Sequence, residues 1–120
     1  MAEYKLGELE SVFADIIWSN EPLSSRRLAE LAQERLSWQR TTTYTILKRL
    51  CDRGLFSNDA GTVTSLVSRE EFYAHQSEQF VEDTFHGSLP AFIAAFSKAK
   101  KLTRQEVDEL KALIEQVEEE

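Results

Sequence analysis

Five hydroxyl-bearing residues stand in a row, Thr41, Thr42, Thr43, Tyr44 and Thr45, bracketed by the cations Arg40, Lys48 and Arg49. Thr43, Ile46, Leu47 and Leu50 recur at helical spacing, so the segment from about 38 to 53 reads as one amphipathic helix. Thr41, Thr45 and Lys48 fall on the face opposite those apolar positions, with Tyr44 and Arg49 flanking them. Such a face has a definite chemistry. Threonine hydroxyls donate to or accept from base edges, their methyls touch thymine, Tyr44 reaches farther, and cations neutralise phosphates. Threonine is a poor helix former, so a run of it asks for a reason on the exposed side. The bland alternative is a solvated helix face, which the pattern alone does not remove.

Other groups offer less. Only four glycines are present and none are clustered, so no phosphate loop is expected. His75 and His86 stand near Glu78, Glu82 and Asp83 at no defined metal-ligand spacing. Glu70-Glu71 and Glu82-Asp83 read as caps or solvated helix positions rather than acid/base pairs. Cys51, alone in the chain, cannot form an internal disulfide and reads as a small packing residue. No enzymatic activity, cofactor or metal is expected.

The surrounding elements follow from periodicity and punctuation. A first helix is predicted from about Gly7 to Ser19, with Leu9, Val12, Phe13, Ile16 and Ile17 on its apolar face and Pro22 beyond its end. A second starts near Ser24 or Ser25, carries Arg26 and Arg27 in its first turn, and ends at Leu36. Ser37 is expected to cap the threonine-rich third helix, and Gly54 to stop it. A small hairpin follows, Leu55–Ser57 and Val63–Val67, with Asn58–Gly61 as its turn. Ser68-Arg69-Glu70-Glu71 and Thr103-Arg104-Gln105-Glu106 are capping boxes that open two later helices. Between them Leu89 to Lys98 reads as a short apolar helix with Pro90 in its first turn. The acidic end Glu118-Glu119-Glu120 is expected to fray.

Three helices followed by a hairpin is the winged helix-turn-helix layout, whose third helix enters the major groove. The fold class is therefore mainly α. Residues 1–68 form a winged helix-turn-helix unit, and residues 69–120 form a helical arm.

The charge distribution agrees with that division. The whole chain carries −7, a poor match to a DNA binder taken as a sum. Yet from Ser24 to Arg53 seven cations face three carboxylates, and from Gly61 to Glu120 six cations face twelve. A local basic face is what matters for nucleic acid. No apolar run approaches the roughly 18 residues of a membrane span, and Met1–Lys5 lack the pattern of a signal peptide. A cytoplasmic protein is expected.

Several of these residues also carry a family resemblance. Leu9-Glu10, Trp18, the run Thr41-Thr42-Thr43-Tyr44-Thr45-Ile46-Leu47-Lys48-Arg49-Leu50 and the exit Arg53-Gly54-Leu55 resemble the penicillinase-repressor family of the BlaI/MecI/CopY type. Leu66-Val67-Ser68-Arg69-Glu70-Glu71 is similar to that family's entry into its arm. The resemblance implies a homodimeric transcriptional repressor that binds double-stranded DNA at a palindromic operator with TACA and TGTA half-sites. Carried over, Thr42, Tyr44 and Thr45 lie near base edges, and Arg40, Lys48 and Arg49 near phosphates; Thr41 on the outer face and Arg26 at the start of the second helix are expected to join them as DNA-binding residues.

The arm points to self-association on its own terms. Phe72, Phe80, Phe85, Leu89, Phe92, Ile93, Phe96, Leu110, Leu113, Ile114 and Val117 are too many apolar side chains for thin helices to hide. A second copy, or the chain's own winged unit, must cover them. Three departures from the family stand out. Ala95-Phe96 replaces the Asn-Phe pair at which a protease cuts inducible members, the arm lacks the cysteine cluster of copper-responsive ones, and the wing carries no Lys or Arg between Leu55 and Ser68. Two alternatives stay open: a protein-interaction module on a winged-helix scaffold, and a ligand- or metal-responsive variant of the repressor.

Overall fold

The structure, a computed structural model, describes residues 5–117. The acidic terminus Glu118–Glu120 and residues 1–4 lie outside the described residues. Among those described, the chain forms α1 (Glu8–Asn20), β1 (Leu23–Ser24), α2 (Ser25–Leu36), α3 (Arg40–Asp52), β2 (Phe56–Asp59), β3 (Thr62–Ser65), α4 (Arg69–Phe85), α5 (Leu89–Ala99) and α6 (Arg104–Gln116). It is mainly helical, a winged helix with a small sheet followed by a helical arm. No helix among the described residues is long and apolar enough to cross a membrane.

The chain divides into two compact units, one ending at Gln79 and one starting at Phe80. In the first, α1 buries Phe13, Ala14, Ile16 and Ile17. The carboxylate of Glu10 reaches back 3.1 Å to accept the N–H of Gly7 at the helix start. α2 begins where Ser24 Oγ accepts the N–H of Arg27 at 2.9 Å, and it buries Leu28, Ala29, Leu31 and Ala32. α3 turns Thr43, Leu47 and Leu50 into the same core. Trp18 closes this core from the side. Its indole N–H donates to the Val67 carbonyl at 3.0 Å, and its ring lies against Phe56 and Phe72 at 5.4 and 5.6 Å.

Three details differ from the sequence reading. Ser37 does not cap α3. It ends α2 in the left-handed conformation (φ 59), its N–H shared by the carbonyls of Ala32 and Gln33. This sharp stop brings Trp38 onto Phe13, with ring centroids 5.1 Å apart. Gln39 then precedes α3 without a side-chain cap bond. The hairpin turn is shorter than expected. Asn58 and Asp59 pair with Val63 and Thr62, leaving Ala60 and Gly61, both at positive φ (53 and 93), as a two-residue connection. Positive φ at both positions is the twist that lets such a tight hairpin close. The third difference is β1, unforeseen from the sequence, which pairs with β3 in a sheet of order β1-β3-β2. Two residues are too few to show a strand's alternation.

Phe72, expected among the dimer-forming residues, is fully buried in the core of the first unit. The beginning of α4 belongs to that unit because Phe72 supplies a ring Trp18 packs on. Arg69 helps to fix it there, its guanidinium 3.0 Å from Asp15 on α1 and donating to Ser19 Oγ at 2.8 Å.

The second unit comprises the rest of α4 with α5 and α6. Ser88 caps α5 and Thr103 caps α6, the latter in a reciprocal box with Glu106 as expected. Phe80, Phe85 and Phe92 meet edge to face at 5.6–6.0 Å. No described residue of this unit is fully buried.

Candidate nucleic-acid interface

The amphipathic split of α3 decides what this helix can do. Thr43, Leu47 and Leu50 bind it to the core, and Ile46 is half-buried beside them. Arg40, Thr41, Thr42, Tyr44, Thr45, Lys48 and Arg49 are all exposed. The structure thus brings all seven residues singled out on this helix to its outer side. Arg26 is also exposed, in the first turn of α2. These groups offer three threonine hydroxyls, a phenol and four cations.

Two of the cations are held by carboxylates of the same unit. Lys48 Nζ lies 3.3 Å from Asp52 one turn later, and Arg49 Nη1 lies 3.4 Å from Glu10 on α1. The Lys48–Asp52 pair is open to water, and exposed pairs of this kind stabilise a fold by roughly 1 kcal/mol or less, whereas the Glu10 carboxylate is partly buried. The Lys48–Asp52 pair is legible from its four-residue spacing. The Glu10–Arg49 pair joins residues 39 apart in sequence, and no local pattern announces it.

The hairpin β2–β3 stands beside α3. Its outer end carries Asn58, Asp59, Ala60 and Thr62 exposed and no cation. Between hairpin and helix is an open cleft of about 330 Å³ lined by Tyr44, Leu47, Lys48, Cys51 and Asn58. Sequence reasoning passed over Asn58 as a turn residue. Its side-chain oxygen accepts the Gly61 N–H at 3.0 Å, and its backbone N–H bonds to Cys51. Burial pushes the Cys51 thiol above its ordinary range, the nearby Asp52 charge adds to this, and the Asn58 N–H and Lys48 partly oppose it. A thiol held protonated is a packing group and a poor nucleophile.

The remaining candidates do not assemble into a site. Among the described residues no group of three metal-ligating side chains comes together. His75 is 3.5 Å from Glu78, a pairing within one helix turn, and His86 is exposed at the left-handed end of α4.

The second unit offers an apolar surface instead. Phe80, Leu89, Phe96, Leu113, Ile114 and Val117 are exposed, while Phe85, Phe92, Ile93 and Leu110 are half-buried. An open apolar cleft of about 370 Å³ runs between α5 and α6, with Phe92, Phe96, Leu102 and Leu113 among its walls. Ala95 and Phe96 are exposed on α5.

A family profile described as penicillinase repressor matches residues 6–116, nearly the whole chain. The penicillinase repressor of Bacillus licheniformis is 20% identical over 116 residues, covering 93% of this chain and 91% of that protein.

Proposed function

The chain belongs to the penicillinase repressor family, whose members are transcriptional regulators and not enzymes, and from that premise we propose that it is a homodimeric repressor reading a palindromic operator through α3. The observation that carries this reading is the outer face of α3. Every hydroxyl and cation on that face is exposed, while the opposite face is locked into the core. A rigid helix with short polar side chains is what major-groove readout needs. In this reading Thr41, Thr42, Tyr44 and Thr45 approach base edges, and Arg40, Lys48, Arg49 and Arg26 take phosphates. The exposed apolar residues of the second unit, from Phe80 to Val117 and without Phe72, meet a second copy. Repression is steric, the dimer occupying promoter DNA in the cytoplasm.

The test is a fluorescence-anisotropy titration of a palindromic duplex with TACA and TGTA half-sites against a scrambled duplex at two salt concentrations. Tighter, two-protomer binding to the palindrome is expected. Equal, salt-sensitive binding to both would keep DNA as the partner and discard that operator. The net charge of −7 and the cation-free wing favour a second reading, an interaction module that binds no nucleic acid. Failure to bind either duplex at low salt would favour that one.

A further inference from the structure

We propose that Asn58 on the wing and Lys48 on α3 together seat one backbone phosphate of DNA in the cleft between β2 and α3. This rests on the reading of α3 as the DNA-contacting helix. It assigns the wing a contact that its composition otherwise withholds, since Leu55 to Ser68 contains no Lys or Arg.

The geometry of Asn58 is fixed from two sides. Its backbone N–H is bonded to Cys51, which ties β2 to the last turn of α3. Its Oδ1 accepts the Gly61 N–H at 3.0 Å. A carboxamide with its oxygen so engaged has its two Nδ2 hydrogens left to donate. Asn58 is exposed and lines the cleft together with Lys48. Lys48 is the cation of this cleft; its side chain is 78% exposed, and its carboxylate partner Asp52, 3.3 Å away, is 66% exposed. A pair so open to water exchanges readily for a phosphate. A neutral amide donor beside an ammonium suits a phosphodiester, which carries one charge and several acceptor oxygens. The cleft of about 330 Å³ leaves room for bridging water as well.

Such a contact carries no sequence information. Asn58 is then a positioning residue that fixes how far the wing stands from the duplex while α3 reads the bases.

The experiment uses the full chain and the two duplexes named above, each titrated with wild type, Asn58→Asp, Asn58→Ser, Lys48→Ala and the Lys48→Ala/Asn58→Asp double variant. Asp keeps an oxygen for the Gly61 N–H and sets a negative charge against the phosphate. Asn58→Asp is expected to weaken binding about tenfold or more, by a similar factor on both duplexes. Asn58→Ser is neutral and also able to accept, and it is expected to lose about threefold to tenfold. The double variant is expected to lose less than the product of the two single losses, because both residues serve one phosphate. Thermal melts identify a variant whose wing is disrupted, and Asn58→Ser decides if Asn58→Asp is the one affected. Wild-type affinity in both Asn58 variants, a loss confined to one duplex, or full additivity with Lys48→Ala would each overturn the shared seat. If wild type binds neither duplex, the DNA reading falls and this inference with it.

Discussion

Glu10 Oε2 on α1 lies 3.4 Å from Arg49 Nη1 on α3, so an acid of the first helix engages a cation on the outer face of the third. The same carboxylate spends its other oxygen on the Gly7 N–H at 3.1 Å. One side chain therefore sets both the start of α1 and the electrostatics beside α3.

Replacing Glu10 by Gln separates those roles. The amide keeps an oxygen for Gly7 and loses the charge that competes with phosphate for Arg49. Glu10→Gln is expected to tighten DNA binding by about twofold to fivefold at low salt, with the gain shrinking as salt rises. Anisotropy titrations at two ionic strengths check this, and weaker binding by the variant would count against Arg49 as a phosphate contact.

Thr43 tests the orientation of α3 from its inner side. Its hydroxyl is fully buried without a hydrogen-bond partner. An unsatisfied buried hydroxyl costs roughly 1–3 kcal/mol, and valine has nearly the same shape. Thr43→Val is expected to raise unfolding stability by about 1 kcal/mol in urea titrations while leaving DNA affinity unchanged. Its neighbours Thr42 and Thr45 face outward, so Thr42→Val or Thr45→Val should do the reverse, with a loss of affinity and little change in stability.

The apolar residues expected from the sequence to form the self-association surface are expected to separate into two classes. Phe72→Ala removes a buried ring from the first unit, at a cost of about 3–5 kcal/mol, and should be read as a loss of thermal stability. Ile114, on α6, is 61% exposed. Ile114→Asp should leave the first unit folded and shift the sedimentation of the full chain from dimer toward monomer. A dimer that withstands Ile114→Asp would place the self-association surface elsewhere.

Cys51 supplies a pH test. Burial raises its thiol pKa, so the folded state favours the neutral form. The resulting stabilisation is complete below the unfolded thiol value of about 8.5 and fades as pH rises past it toward the higher folded value. Alkylation at pH 8 should accordingly be slower in the native chain than after denaturation in urea. Equal rates in both states would mean that the thiol is not shielded.

The sequence was most legible where chemistry and packing divide one helix into two faces. The alternation of Thr43, Ile46, Leu47 and Leu50 with Thr41, Tyr44, Thr45 and Lys48 let the outer side of α3 be drawn before its surroundings were known. It failed where one residue type suits two roles. Serine caps helix starts well, yet Ser37 takes the left-handed position that ends α2. Phe72 and Phe80 share one helix and look alike in sequence, but Phe72 belongs to the first unit, where Trp18 packs on it, and Phe80 to the second. β1 is too short for a period, and the Glu10–Arg49 contact depends on how α1 and α3 are brought together. What tertiary packing decides, local pattern does not carry.

The second unit has no described residue fully shielded from water. Three helices without an interior borrow one, and if the lender is another copy of the chain, the arm's cohesion depends on how many copies a cell holds. Its melting temperature then rises with protein concentration. Scarcity would leave winged units with loosened arms, each able to touch half an operator and unable to hold it. The amount of protein made would thereby set a threshold for repression, steeper than proportional, with no inducer involved.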